Sequence, residues 1–241
     1  MTDEWAERAR SFGSAAASYA AGRPHYPREA LEWGLPDGAH AVIDLGAGTG
    51  ILTADLLELG LSVTAVEPLA EMRALIPRDA VTLDGSAEAI PMDDASCDAI
   101  FVGQAWHWFD VPNALVECRR VLRRGGRLVL LWNLVDTSDP LTRTFADVVG
   151  VEERADSLLS NDEATPPYDE PSLFDGHEQL LIPHVQGYDV NRAADFAVSR
   201  SSSIRLGDGE RDAMLDGLRS AMPDEPFALN FFCEAWRAPA V

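Results

Sequence analysis

The chain has 241 residues, 46% of them apolar, and sets 40 acidic side chains against 19 basic ones for a formal net charge of −21. That is room for one domain with a real core, and too much apolar content for a disordered chain. The acidity repels DNA, RNA and anionic lipid, and no apolar run is long enough to span a bilayer, so neither nucleic acid nor membrane is expected as a partner. There is no lysine, which removes a lysine Schiff base or a P-loop lysine from consideration. Cys97, Cys118 and Cys233 are three scattered residues in apolar surroundings, a pattern of buried reduced thiols rather than of disulfides or zinc. The five histidines show no metal-ligand spacing, so no metal is expected. The first residues are charged in both signs and lack a signal-peptide core, which points to the cytoplasm.

Along the chain, residues 1–40 precede the first strand signal, A-V-I-D-L at 41–45. I-L-T-A-D-L-L-E-L follows with helical spacing and stops at Gly60. L-S-V-T-A-V-E is the next strand, and L-A-E-M-R-A-L-I the next helix, closed by Pro77. A-V-T-L-D is a third strand, C-D-A-I-F-V a fourth, 111–122 a helix, and R-L-V-L-L-W a fifth strand. Near-continuously apolar strands separated by helices predict a parallel sheet covered on both faces. Right-handed crossovers then give an open, doubly wound, Rossmann-like α/β sheet over 41–132, with ligands at the carboxyl ends of its strands. Arg119, Arg120, Arg123, Arg124 and Arg127 form the dense basic cluster, expected to complement the dipole of a helix ending before Gly125-Gly126.

Residues 136–222 are less regular and are expected to shape the substrate side. They hold one helical stretch, then the Pro-rich N-D-E-A-T-P-P-Y-D-E-P, read as a surface loop or lid. E-Q-L-L-I-P-H-V is a strand, and 190–222 reads as two helices broken near Gly207-Asp208-Gly209. F-A-L-N-F-F-C-E-A-W, at 227–236, is predicted as a last, antiparallel strand. With no internal repeat and no linker, 1–241 reads as one domain.

The stretch V-I-D-L-G-A-G-T-G places Gly46, Gly48 and Gly50 directly after the first strand and before a helix. Glycine there lets the backbone turn tightly and lets a ligand approach without a Cβ in the way. The spacing is G-x-G-x-G, whereas the dinucleotide fingerprint G-x-G-x-x-G needs a glycine where this chain has Ile51. Glu67 ends the second strand, where an acid takes a ribose hydroxyl pair. Asp44 would repel a pyrophosphate but suits a cationic ligand; alternatively it orders the loop by accepting backbone N–H groups. S-adenosylmethionine combines adenosine, no phosphate, a sulfonium and an ammonium, and so meets these demands.

The ordered blocks V-I-D-L-G-A-G-T-G, V-T-A-V-E-P, G-S-A-E-A-I-P, C-D-A-I-F-V-G-Q-A-W-H-W-F-D and L-R-R-G-G-R-L-V-L-L-W carry a resemblance. They resemble the class I S-adenosylmethionine-dependent methyltransferases, and most of all the small-molecule group often called methyltransferase type 11. A-A-S-Y-A-A-G-R-P-H-Y-P before the sheet and S-R-S-S-S-I after it extend the likeness over nearly the whole chain. The resemblance implies that Gly46, Ala47 and Gly48 line the methionine part of the cofactor. It implies that Glu67 holds the ribose, and that Pro68 and Met72 pack near the adenine. Ser86 and Ala87 would reach the adenine edge with Glu88 nearby; many relatives have aspartate where Ser86 stands. Gln104 and Ala105 would flank the sulfonium. Tyr19 and Arg23 would fold over the cofactor, with Arg23 near its carboxylate.

Methyl transfer is an in-line displacement in which the cofactor supplies methyl and leaving group, so the protein positions and shields. An alcohol, phenol or ammonium acceptor must also lose a proton, and a carboxylate need not. His107, in W-H-W-F-D, is the base candidate; packing between Trp106 and Trp108 is its structural alternative. Trp106, Trp108 and Phe109 are candidates for the substrate pocket wall. His177 and His184 read as core or surface histidines. The expected activity is methylation of an O, N or C nucleophile of a small molecule, releasing S-adenosylhomocysteine. The alternatives are a non-catalytic module that binds the cofactor and a nicotinamide-dependent oxidoreductase. The sequence leaves the oligomeric state open.

Overall fold

The computed structural model describes residues 16–151, 167–204 and 206–241. Its seven strands are β1 (Ala41–Leu45), β2 (Ser62–Val66), β3 (Val81–Leu83), β4 (Cys97–Gly103), β5 (Leu122–Val135), β6 (Glu178–Tyr188) and β7 (Phe227–Pro239). They form one sheet in the order β3-β2-β1-β4-β5-β7-β6. β1 pairs in parallel with β2 and β4, β2 with β3, and β4 with β5. β7 runs antiparallel to β5, since Gly125 N–H bonds to Ala240 O while Asp136 N–H bonds to Asn230 O. The last strand is antiparallel, as expected. Among the described residues no helix is long and apolar enough to cross a membrane, and no group of three or more His, Cys, Asp or Glu could hold a metal ion.

The described helices are α1 (Ala16–Gly22), α2 (Arg28–Gly34), α3 (Ile51–Glu58), α4 (Ala70–Arg73), α5 (Val111–Val121), α6 (Pro140–Val149), α7 (Val190–Val198), α8 (Ser201–Ile204) and α9 (Asp208–Ala221). Several carry their signals in sequence. Asp139 caps α6 by accepting from Thr142 N at 2.8 Å, with Pro140 at the first turn and Gly150 left-handed at the end; this is the expected cap chemistry. Asp189 caps α7 in the same way, accepting from Arg192 N at 2.8 Å.

The residues fall into two compact units. One holds 25–133, 167–182 and 233–241, and the other 16–24, 134–151 and 183–232. In the first, Leu31 of α2 and Leu52 and Leu56 of α3 pack with Val42, Phe101 and Val129 of the strands. In the second, Phe145 of α6 stacks on Phe196 of α7 with ring centroids 5.4 Å apart, in a core that also takes in Leu218 and Phe231. All three cysteines are buried and free, as expected.

Three local expectations are corrected. The helix predicted over L-A-E-M-R-A-L-I is a single turn, α4. Beyond it Leu75 N bonds to Met72 O and Ile76 N to Arg73 O, the tighter i to i+3 pattern that leads into Pro77, before which helical backbone is disfavoured. The arginine cluster does not serve a helix dipole as a group, because α5 ends at Val121 and three of the five lie on β5. Arg120 instead pairs with Glu117 and Asp94 and donates to Met92 O and Ile90 O. Arg123 pairs with Asp98, and Arg127 donates to Leu35 O and Trp33 O. The stretch 190–222 breaks at Gly207 as predicted, but also after Val198, where the Ser199 hydroxyl donates to Phe196 O at 2.8 Å. Residues 161–166 of the Pro-rich segment lie outside the described residues; of the rest, Asp169 and Pro171 are exposed and Tyr168 is buried. Pro183 sits within β6, the edge strand of the sheet, the place in a sheet where proline is tolerated.

Candidate active site

The three loop glycines all have left-handed backbone, with φ of 71° at Gly46, 57° at Gly48 and 85° at Gly50, yet each answers a different demand. The loop is folded against β2, since Gly46 N and Ala47 N both bond to Val66 O at 2.9 and 3.1 Å. A Cβ on Gly46 would lie 2.9 Å from Ala105 Cβ and 3.1 Å from the Phe109 ring. One on Gly50 would lie 2.7 Å from Pro77 Cδ. These two are packing glycines. A Cβ on Gly48 would meet nothing within 4 Å, so Gly48 turns its bare side to open space.

Beside it, Glu67 is only 6% exposed. Its Oε2 accepts from Gly48 N at 2.9 Å and its Oε1 from Leu69 N at 2.8 Å. Burial pushes its carboxyl above the ordinary value, against the pull of those two bonds. Each carboxylate oxygen carries more than one acceptor direction, so two backbone bonds leave capacity for a pair of hydroxyls. Arg73 donates to Glu67 O at 2.5 Å and pairs with Asp84 at 3.0 Å, holding the turn after β2.

Asp44 is 1% exposed and accepts from the Thr53 hydroxyl at 2.6 Å. Its carboxyl is pushed up to about 7, first by burial and also by the neighbouring Glu67 and Asp55 charges, against the Thr53 bond. Its partners are the hydroxyl and the backbone N–H of Thr53 on α3, so the groups it accepts from belong to the helix and not to the loop. Thr49, within the loop, is buried, and its hydroxyl has no partner among the described residues.

Past β4, Gln104 has φ of 58°, a costly conformation for a residue with a side chain. Two bonds hold it there, Gln104 N to Leu131 O and Gln104 Nε2 to Asn133 O, both 2.9 Å. Ala105 leads into a short 3-10 turn, Trp106–Trp108. Trp106 is buried, with Phe109 edge-on at 5.8 Å and Tyr168 at 5.4 Å. Its indole N–H has no partner among the described residues. His107 is exposed and lies against Trp108 with centroids 4.5 Å apart, so it is not packed between the two tryptophans. His177 meets the Tyr168 ring at 4.6 Å, and burial lowers its pKa. His184 stacks on Phe231 at 5.6 Å, and burial brings it down to about 4.

Of the other predicted residues, Met72 and Ala87 are buried and Pro68 half-buried. Ser86 forms a lone antiparallel bridge with Ala89. Glu88 accepts from Asp110 N at 2.9 Å, at the start of α5. Tyr19 and Arg23 belong to the other unit. There Arg23 donates to the Ser199 hydroxyl and to Ser199 O, both at 2.9 Å, and lies over the Tyr19 and Phe196 rings.

The profile of a methyltransferase-domain family matches residues 43–130. An uncharacterized methyltransferase of Mycobacterium tuberculosis is 41% identical over 234 residues, covering 95% of this chain and 93% of the relative. An uncharacterized methyltransferase of Schizosaccharomyces pombe is 37% identical over 235 residues, covering 92% and 90%. In fold, the chain is similar to the solved structure of a putative type II methyltransferase from Anaeromyxobacter dehalogenans, with a TM-score of 0.64 at 21% identity over 90% of this chain and 97% of that one. The chain belongs to the S-adenosylmethionine-dependent methyltransferases.

The residues of this methyltransferase fit its cofactor. The open side of Gly48, the spare acceptor capacity of Glu67 and the unpartnered Thr49 hydroxyl lie within one loop and the end of the neighbouring strand. Thr49 escaped sequence reasoning because a threonine between glycines reads as a spacer; only its unpartnered, buried hydroxyl marks it. His25 and Asp55 escaped for another reason: His25 Nδ1 bonds to Asp55 Oδ1 at 2.6 Å across 30 residues of chain, a pairing no spacing rule announces.

Proposed function

We propose that the chain transfers the methyl group of S-adenosylmethionine to an oxygen, nitrogen or carbon nucleophile of a small molecule, releasing S-adenosylhomocysteine. The observation that carries this reading is the pairing of Gly48 with Glu67, a bare backbone turn facing open space beside a buried carboxylate. Gly46, Ala47 and Gly48 would line the methionine portion, Glu67 would accept from the ribose, and Gln104 and Ala105 would stand by the sulfonium. The cofactor supplies an activated methyl group and a good leaving group. The chain's own work is to bind, orient and exclude water. The net charge of −21 supports a small molecule over a nucleic acid as acceptor. The buried free thiols support the reducing cytoplasm.

Isothermal titration with S-adenosylmethionine, S-adenosylhomocysteine and NADH, on wild type and Glu67→Ala, tests the reading. The expected result is micromolar binding of the two adenosyl ligands alone, weakened in the variant. Binding of NADH instead would overturn it. Tight binding of both adenosyl ligands with no methyl transfer to any of a panel of carboxylates, phenols and amines would favour a non-catalytic binding module.

A further inference from the structure

His25 follows α1 in the stretch Arg23-Pro24-His25-Tyr26-Pro27, and the proline at 27 keeps Tyr26 extended. This non-helical segment is clamped by one carboxylate. Asp55 on α3 is 8% exposed; its Oδ1 meets His25 Nδ1 at 2.6 Å and its Oδ2 accepts from Tyr26 N at 2.8 Å. The His25 side chain itself is 51% exposed against 10% for that of Asp55. A carboxylate on Nδ1 selects the tautomer with its proton there and leaves the lone pair on Nε2. It also stabilises the imidazolium that forms when Nε2 takes a proton, the base-and-orienter arrangement of hydrolytic triads.

The place of the pair matters as much as its chemistry. Asn133, near the carboxyl end of β5, donates from Nδ2 to His25 O at 3.2 Å and accepts at its own carbonyl from Gln104 Nε2 at 2.9 Å. The Tyr26 hydroxyl lies 2.6 Å from where a Cβ on Gly103, the last residue of β4, would stand. His25 is therefore tied to the carboxyl ends of β4 and β5, where ligands of such sheets bind. It is one residue, Asn133, away from the strained Gln104. Asp55 sits on the helix that the glycine loop opens.

We propose that His25, oriented by Asp55, is the general base of the methyl transfer and that the acceptor is a nucleophile that must lose a proton, an alcohol, phenol or ammonium rather than a carboxylate. The assignment rests on the methyltransferase reading above. In the step, the acceptor O–H or N–H bond breaks and its proton passes to Nε2. The acceptor's electron pair forms the new bond to the methyl carbon as the methyl–sulfur bond breaks, its pair staying on sulfur. The proton then leaves the imidazolium for solvent.

The test needs no acceptor. S-adenosylmethionine carries a sulfonium charge that S-adenosylhomocysteine lacks, so exchanging one ligand for the other places or removes a single charge at the reacting position. Histidine side chains labelled with nitrogen-15 are titrated by NMR in the two complexes, with His25→Asn and His107→Asn assigning the signals. Asp55 is common to both complexes, so its influence cancels. We expect His25 to titrate about half a pH unit lower with S-adenosylmethionine bound, the size set by one charge several ångströms away in a partly wet site. The neutral ring should carry its proton on Nδ1. In His25→Asn the amide can still donate to Asp55, and titration calorimetry should give cofactor affinity within twofold of wild type. Loss of cofactor binding in that variant would make the pair structural and overturn the proposal. So would a ligand-dependent change at His107 with none at His25, an outcome that leaves the cofactor reading itself intact.

Discussion

The cofactor side of the site and the histidine side are built in opposite ways. Around Gly46–Gly50 and Glu67 the deciding bonds are to backbone: Gly48 N and Leu69 N on the carboxylate, Gly46 N and Ala47 N on Val66 O. Around His25 and His107 the deciding contacts are between side chains, and the two histidines part ways through them. His107 has the expected neighbourhood in sequence but lies exposed on a three-residue turn against Trp108. His25 has a buried carboxylate 30 residues away. Backbone-built binding tolerates many sequences around it, whereas a carboxylate that orients a histidine has to be brought to it by the fold.

The strongest way to break this comparison is to exchange the histidines' fates. In turnover with any proton-bearing acceptor, His25→Asn is expected to lower kcat/KM about 100-fold, within the usual range for a general base. His107→Asn should cost at least about tenfold less. Equal losses would erase the distinction drawn between them. The next effect lies on the backbone-built side. Glu67→Ala should weaken S-adenosylmethionine about 30-fold, the loss of hydrogen bonds to a charged group, as read by calorimetry. An unchanged affinity would move the ribose elsewhere.

Two smaller effects sharpen the roles within the loop. Gly50→Ala combines left-handed backbone with a Cβ 2.7 Å from Pro77, and should lower the free energy of unfolding by about 2–3 kcal/mol. Gly48→Ala meets no atom and should cost only about 1 kcal/mol for its positive φ, while still weakening the cofactor. Urea unfolding of both variants separates packing from binding. The smallest effect concerns Asp44, whose carboxyl rises from 3.8 to about 7 in the fold. Because the folded protein holds that proton more tightly than the unfolded chain, wild-type stability should fall, relative to Asp44→Asn, as pH rises from about 4 to 7, and then level off. Melting temperatures of the two proteins across that range check the sign; a parallel course would mean the charge is compensated in a way the Thr53 bond alone does not explain.

The legible parts of the molecule were those written in local pattern. The mostly apolar stretches at 41–45 and 62–66 became β1 and β2, because strands covered on both faces are near-continuously apolar. The glycine loop was legible because a left-handed turn leaves its mark in residue type. The one-turn α4 was not, since helical spacing over 69–76 says nothing of Pro77 needing to lie against Gly50. The arginine cluster was misread for a similar reason, as its partners Glu117, Asp94 and Asp98 come from other elements.

By itself, then, the sequence determined the doubly wound sheet, the antiparallel last strand, the glycine loop and the acid after β2. All of these depend on periodicity, residue type and short spacing, which are properties of the chain. Only the tertiary structure decided which glycine faces open space, that Asp44 answers to Thr53, that Gln104 is held in left-handed backbone, and that a buried carboxylate meets His25 from 30 residues along the chain. Those depend on distances between segments far apart in the chain, and a side chain's chemistry follows from the charge and burial of what folding brings beside it.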